Sequence, residues 1–147
     1  MAATNQRIEQ NKRIARRIPE ELATGGDLDL IEEVYAVDAV EHDPFGDHSG
    51  RTAIRKSMEG LLVAFPDFSA TVKEIIAEGD MVAMRVTLKG THEGEFLGSE
   101  PTGRKFEVEN AVFTRLDDGM VAERWVQPDT FGLLRQLGIE SVPPEHR

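Results

Sequence analysis

The feature that most constrains this chain is a change of hydrophobic period at Phe68. Before it, apolar residues recur at the three- and four-residue spacing of an amphipathic helix; after it they alternate, as in a half-buried strand. Ile8, Ala15, Ile18 and Leu22 share one side of a helix predicted over 5–24, with Arg13, Arg16 and Arg17 opposite and Pro19 expected to kink or split it. Gly25-Gly26 stops that helix, and Asp27 is expected to cap a second, over 28–35, through Leu30, Ile31 and Val34. A brief strand over 39–42 then enters a turn at Pro44-Phe45-Gly46. A third helix follows over 50–65, carrying Ile54, Met58, Leu61, Leu62 and Phe65 inward and ended by Pro66.

Beyond Phe68 the alternation predicts four strands, over 68–77, 81–91, 104–116 and 120–127. Glu78-Gly79-Asp80 and Asp117-Asp118-Gly119 have the composition of hairpin turns. The longer loop over 93–103 is expected to line an opening, and a short helix over 131–137 stops at Gly138. Helices first and an antiparallel meander afterwards predict an α+β fold, with helices covering one face of a sheet. On the strand over 104–116, Phe106, Val108, Val112 and Leu116 lie on one side, while Ala111 and Phe113 lie on the other. Apolar residues on both faces predict a homodimer through the sheet.

Nothing divides the 147 residues by repeat or proline-rich linker, so one domain over 1–147 is expected. Against 17 basic residues stand 27 acidic ones; the formal net charge of -10 disfavours nucleic acid as a partner. The absence of cysteine excludes disulfides, thiolate metal sites and cysteine nucleophiles. The first segment has no apolar core and no later stretch is long enough to span a bilayer, which predicts a cytoplasmic protein without membrane contact.

Candidate site residues begin on the last strand, where Glu123, Trp125 and Gln127 alternate onto one face and Asp129 joins them if the path stays extended. A Trp beside Gln and Asp fits the concave wall of a pocket better than core filling. A carboxylate at 129 in such a pocket would have its pKa raised towards the range useful for acid/base catalysis, and would equally serve as cap to the helix that follows. His42 is a candidate to orient a substrate or Asp129, or to be held by loop backbone. His92 is a candidate for the pocket rim, or for a backbone-bonded loop residue. Arg85 would anchor a ligand carboxylate or pair with Glu74 or Glu107 on a solvated face. Asn110 offers a hydrogen bond, and Phe45, Phe65, Val112 and Trp125 are candidate wall residues. The cluster His42, Asp43, Asp47 and His48 has no metal-ligand spacing, so no metal is expected.

Several short runs occur in order: His42-Asp43-Pro44, Ala64-Phe65-Pro66-Asp67-Phe68, Glu78-Gly79-Asp80, Gly90 to Phe96, Pro101-Thr102-Gly103, Glu123-Arg124-Trp125 with Asp129, and Gln136-Leu137-Gly138. Together, over nearly the whole chain, they resemble the SnoaL-like polyketide (ester) cyclases. The resemblance implies a cone-shaped fold like that of nuclear transport factor 2 (cystatin-like), with a deep apolar cavity, usually dimeric and free of metal or organic cofactor. It implies a small apolar or aromatic ligand, and an intramolecular aldol ring closure of a polyketide ester in which Asp129 matches the general acid/base. A histidine often present on the neighbouring strand falls at Val112. A non-catalytic small-molecule binder of the same fold is the alternative expectation.

Overall fold

The computed structural model describes residues 2–144. Helix α1 runs Ala2–Arg17 and passes into a wider π-helical segment, Ile18–Ala23, which buries Ile18, Pro19, Leu22 and Ala23. Pro19 cannot donate to an α-helical ladder, and the chain adapts by widening its winding instead of breaking. Thr24 then ties this segment to the sheet: its hydroxyl donates to Pro19 O at 2.8 Å and accepts from Ala70 N at 2.9 Å.

Helix α2 is only Leu30–Val34, shorter than expected, and Asp27 contributes its backbone carbonyl to Leu30 N rather than a side-chain cap. Strand β1 then spans Tyr35–Asp43, more than twice the expected length, and turns back as β2, Gly46–Ser49. The Asp43 carboxylate shapes that turn by accepting from Phe45 N at 2.7 Å. Helix α3 is Arg51–Ala64, and β3 to β6 run Ser69–Glu78, Met81–Thr91, Lys105–Asp117 and Met120–Pro128. Helix α4, Thr130–Leu137, ends on Gly138 in the left-handed conformation (φ 74°), as expected from the glycine there.

The six strands form one sheet in the order β2-β1-β6-β5-β4-β3, antiparallel except for the parallel pair β1 and β6. The α+β architecture read from the change of period is therefore present. What the alternation did not reveal is that β1 returns to lie beside the last strand and extends the sheet by a hairpin. Inward-facing Val82, Met84 and Val86 of β4 and Phe106, Val108 and Val112 of β5 are buried with Ile18, Leu22, Ile54 and Phe65 from the helical layer. Phe65 is the hub, with ring centroids 4.9 Å from Phe106, 5.1 Å from Phe96 and 6.5 Å from Phe68. Fully burying an aromatic of this size contributes about 1.5–3 kcal/mol. Among the described residues, no helix is long and apolar enough to cross a membrane.

Among the described residues, no helix covers the other face of the sheet. Register places Ile76, Ala83, Phe113 and Trp125 side by side across β3, β4, β5 and β6 on that outer face, with His42 completing the row on β1. Ile76 is 69% exposed and Phe113 45%, so an apolar band faces outward.

Candidate active site

Between the helical layer and the concave face of the sheet lies a cavity of about 360 Å³, within the size range of small-molecule sites. Phe45, Phe65, Phe68, Phe96 and Phe106 supply its aromatic walls. Its polar groups come mainly from two places: the buried end of the β1–β6 pair, with Glu41 and Arg124, and the β1–β2 hairpin, with Asp43 and His48. Asn110 adds an amide whose Oδ1 is buried without a hydrogen-bond partner among the described residues.

Glu41 and Arg124 are register partners on adjacent strands, and both are almost fully buried. Arg124 Nη1 donates to Glu41 Oε1 at 3.1 Å, and the Tyr35 hydroxyl donates to Glu41 Oε2 at 2.6 Å. Burial pushes the Tyr35 pKa well above its ordinary value, and the Glu41 charge adds to this, so the phenol stays a donor. For Arg124 burial opposes the charge, but Glu41 and Tyr35 outweigh it and the net shift is upward. The pair is thus a fixed, charged patch in an otherwise apolar chamber.

At the hairpin, His48 Nε2 lies 2.8 Å from Asp43 Oδ2, and both side chains are only about a quarter exposed or less, at 25% and 20%. The alternation of the two strands explains the grouping. Ala39, Glu41 and Asp43 of β1 face inward with His48 of β2, while His42 and Asp47 face outward and pair with each other at 2.7 Å. The cluster of two histidines and two aspartates is therefore split between opposite faces of the sheet.

Four of the candidate residues, Phe45, Phe65, Asn110 and Val112, line the cavity. The others are placed elsewhere, and each placement has a physical cause. Trp125 and Gln127 lie on the outer face of the sheet, where they bound a shallow depression with Met81, Ala111 and Phe113. Their expected inward orientation fails because β6 carries a bulge. Arg115 and Leu116 are consecutive on β5, yet they pair with Glu123 and Val121, so Ala122 is the extra residue. Past that point the alternation inverts, and Arg124, Val126 and Pro128 line the cavity instead.

Asp129 follows the same inverted phase. Its side chain is exposed and caps α4, accepting from Gly132 N at 2.9 Å, the alternative role expected for it. Replacing Asp129 with Ala should cost about 1 kcal/mol in chemical unfolding, the usual value of such a cap; no measurable loss would contradict this arrangement.

His42 is stacked on Trp125 at 5.6 Å, with Nε2 at 2.7 Å from Glu123 and Nδ1 at 2.7 Å from Asp47. Those two bonds, Glu123 first and then Asp47, outweigh burial and raise its pKa above the ordinary 6.5. A raised folded-state pKa gives stability that is complete below 6.5 and is lost as pH rises through the folded value. Unfolding by urea across that window should therefore show the wild type losing stability with rising pH relative to His42→Gln; parallel profiles would contradict it.

Arg85 stands on the outer face and donates to Glu74 at 2.6 Å and to Glu109 at 3.2 Å, so it is paired within the protein and does not reach the cavity. The expected partner Glu107 instead meets Lys89, at 3.3 Å. His92 is fully buried beneath its loop, against the Phe65 ring at 5.8 Å. Its Nδ1 accepts from Thr102 N at 3.3 Å, and burial pushes its pKa down. It staples the loop that carries Glu95, Phe96 and Leu97 to the cavity wall, and does not line the cavity itself.

A sequence model described as SnoaL-like polyketide cyclase matches residues 13–137. Over 138 residues the chain is 32% identical to the aklanonic acid methyl ester cyclase DnrD of Streptomyces peucetius, covering 90% of this chain and 93% of that protein. Among solved structures it is similar to IdmH, a candidate polyketide cyclase from Streptomyces antibioticus (34% identity, TM-score 0.77, 88% of this chain and 99% of that one). It is also similar to AclR, a candidate hydroxylase from Streptomyces galilaeus (34% identity, TM-score 0.78, 89% and 97%).

Proposed function

Because the chain belongs to the SnoaL-like polyketide cyclase family, we propose that it closes a ring in an aromatic polyketide ester by an intramolecular aldol step, using no metal or organic cofactor. A carbon acid flanked by carbonyls gives its proton to a base in the cavity, and the resulting enolate carbon attacks a ketone carbon of the same molecule. The ketone π pair becomes an alkoxide, which takes up a proton, so product and substrate are isomers. The supporting observation is the aromatic-walled cavity whose polar groups include Glu41, Arg124, Asp43, His48, Asn110, Ser57 and Glu95. Such a chamber holds a flat apolar skeleton and shields the enolate from bulk water.

Incubation with aklanonic acid methyl ester, followed by liquid chromatography and mass spectrometry, should give a product of unchanged mass and altered retention. Ester that binds and is recovered unchanged would favour the binding-protein alternative instead.

The working unit is a homodimer formed through the outer face of the sheet. The outward band of Ile76, Phe113 and Trp125 is its expected centre, since a second copy would cover apolar surface otherwise left to water. Sedimentation should give a dimer for the wild type and a monomer for Phe113→Glu; a monomeric wild type would contradict this.

A further inference from the structure

We propose that Asp43 and His48 form the proton-moving pair of this site, with His48 as the catalytic base and acid and Asp43 as its positioning residue. The inference rests on reading the cavity as the place of ring closure, and it assigns the role to the β1–β2 hairpin instead of Asp129.

Hydrogen-bond accounting carries the argument. A carboxylate can only accept, so the 2.8 Å contact with Asp43 Oδ2 places the proton of neutral His48 on Nε2. Nδ1 then holds a free lone pair, and among the described residues nothing hydrogen-bonds to it. Asp43 is fixed in turn, because its other oxygen accepts from Phe45 N at 2.7 Å. A backbone-anchored carboxylate holding one nitrogen of a histidine, with the other nitrogen free, is the arrangement that prepares a histidine to take and return a proton.

Of the other acids, Glu95 lines the cavity from an exposed position on the loop, and the rest are committed or misplaced. Both oxygens of Glu41 are taken, by Tyr35 and Arg124, and Asp129 caps α4 outside the cavity lining. The charged groups around His48 are Asp43, its register partner Glu41 with Arg124 beyond, its chain neighbour Asp47, which holds His42, and Glu95 of the loop. Helix α3, packed on β2, gives the cavity only the uncharged Ser57, Met58, Gly60 and Leu61.

In the reaction, Nδ1 takes the carbon-bound proton and the ring becomes an imidazolium that Asp43 stabilises; the enolate closes the ring and Nδ1 returns a proton to the alkoxide. The Asn110 Oδ1 acceptor fits a substrate bearing a phenol or enol hydroxyl.

The test uses the full chain with aklanonic acid methyl ester. For His48→Gln, kcat should fall by about 10²–10⁴-fold, the usual worth of a general base, with KM changed far less. Asp43→Asn keeps an acceptor for Phe45 N but loses the charge. It should lower kcat with KM changed far less, and Asp43→Glu should recover part of the rate. Independently of turnover, long-range proton–nitrogen spectra of wild-type His48 should show the Nε2–H tautomer. Full kcat in His48→Gln with loss in Asp129→Asn, or an Nδ1–H tautomer, would overturn the pair and leave the ring-closure reading standing. A wild type inert toward the ester would overturn both.

Discussion

Glu41→Leu should lose about 3–5 kcal/mol of unfolding free energy, the penalty typical of removing one partner from a buried ion pair. The leucine fits an apolar chamber, so the loss comes from what it leaves behind: a buried Arg124 guanidinium and a Tyr35 hydroxyl without their acceptors. The double variant Glu41→Leu/Arg124→Met should recover most of the stability, because no charge is then stranded. Urea unfolding of the two variants measures this directly. A single variant as stable as the wild type would mean that Arg124 finds another partner or reaches water.

Phe65→Ala should be nearly as damaging. Its ring is fully buried and touches Phe68, His92, Phe96 and Phe106, so truncation removes transfer energy and leaves a void. Phe→Ala changes in cores cost about 3–5 kcal/mol; here the lower end is expected, because part of the ring faces a cavity that already exists. Loosening of the Phe96 loop should accompany it, seen as faster amide exchange at Glu93 and Gly94, whose N–H groups bond to Ala64 O at 3.0 and 3.1 Å. Unchanged exchange there would contradict the role given to Phe65 as support for the loop.

Much of this fold was legible because its long elements carry strong periods. The helix through Ile54, Met58 and Leu61 and the strand through Val82, Met84 and Val86 lie within a residue or two of where alternation or helical spacing placed them. The hairpin was not legible. Gly46-Asp47-His48-Ser49 has no apolar residue to signal a strand, and it pairs only at the edge of the sheet. Tyr35 to Val37 continued the apparent helical run of Leu30, Ile31 and Val34, which concealed the start of β1.

The candidate site suffered more, because its assignment depended on which face each strand residue takes. Strict alternation from the buried Val121 brings 123, 125 and 127 inward, and a single bulged residue, Ala122, reverses that for the rest of β6. A bulge leaves little trace in one sequence, and the bulk of Trp125 favoured the wrong phase. The charged pair Glu41 and Arg124, oddly placed within strands rich in apolar residues, was the available signal that these positions face something other than water. For Asp129 the signal lay in the short helix that begins directly after it, and its carboxylate caps that helix.

The aromatic-walled cavity lies on the face of Arg124 and Val126 and not on the face of Trp125. The chain has one tryptophan, so its indole signals in proton spectra are unambiguous. Isotope-filtered nuclear Overhauser measurements on the complex with aklanonic acid methyl ester should give contacts from the ligand to Phe65, Phe106, Val126 and His48, and none to the Trp125 indole. Ligand contacts to that indole, with none to the phenylalanine rings, would contradict the account.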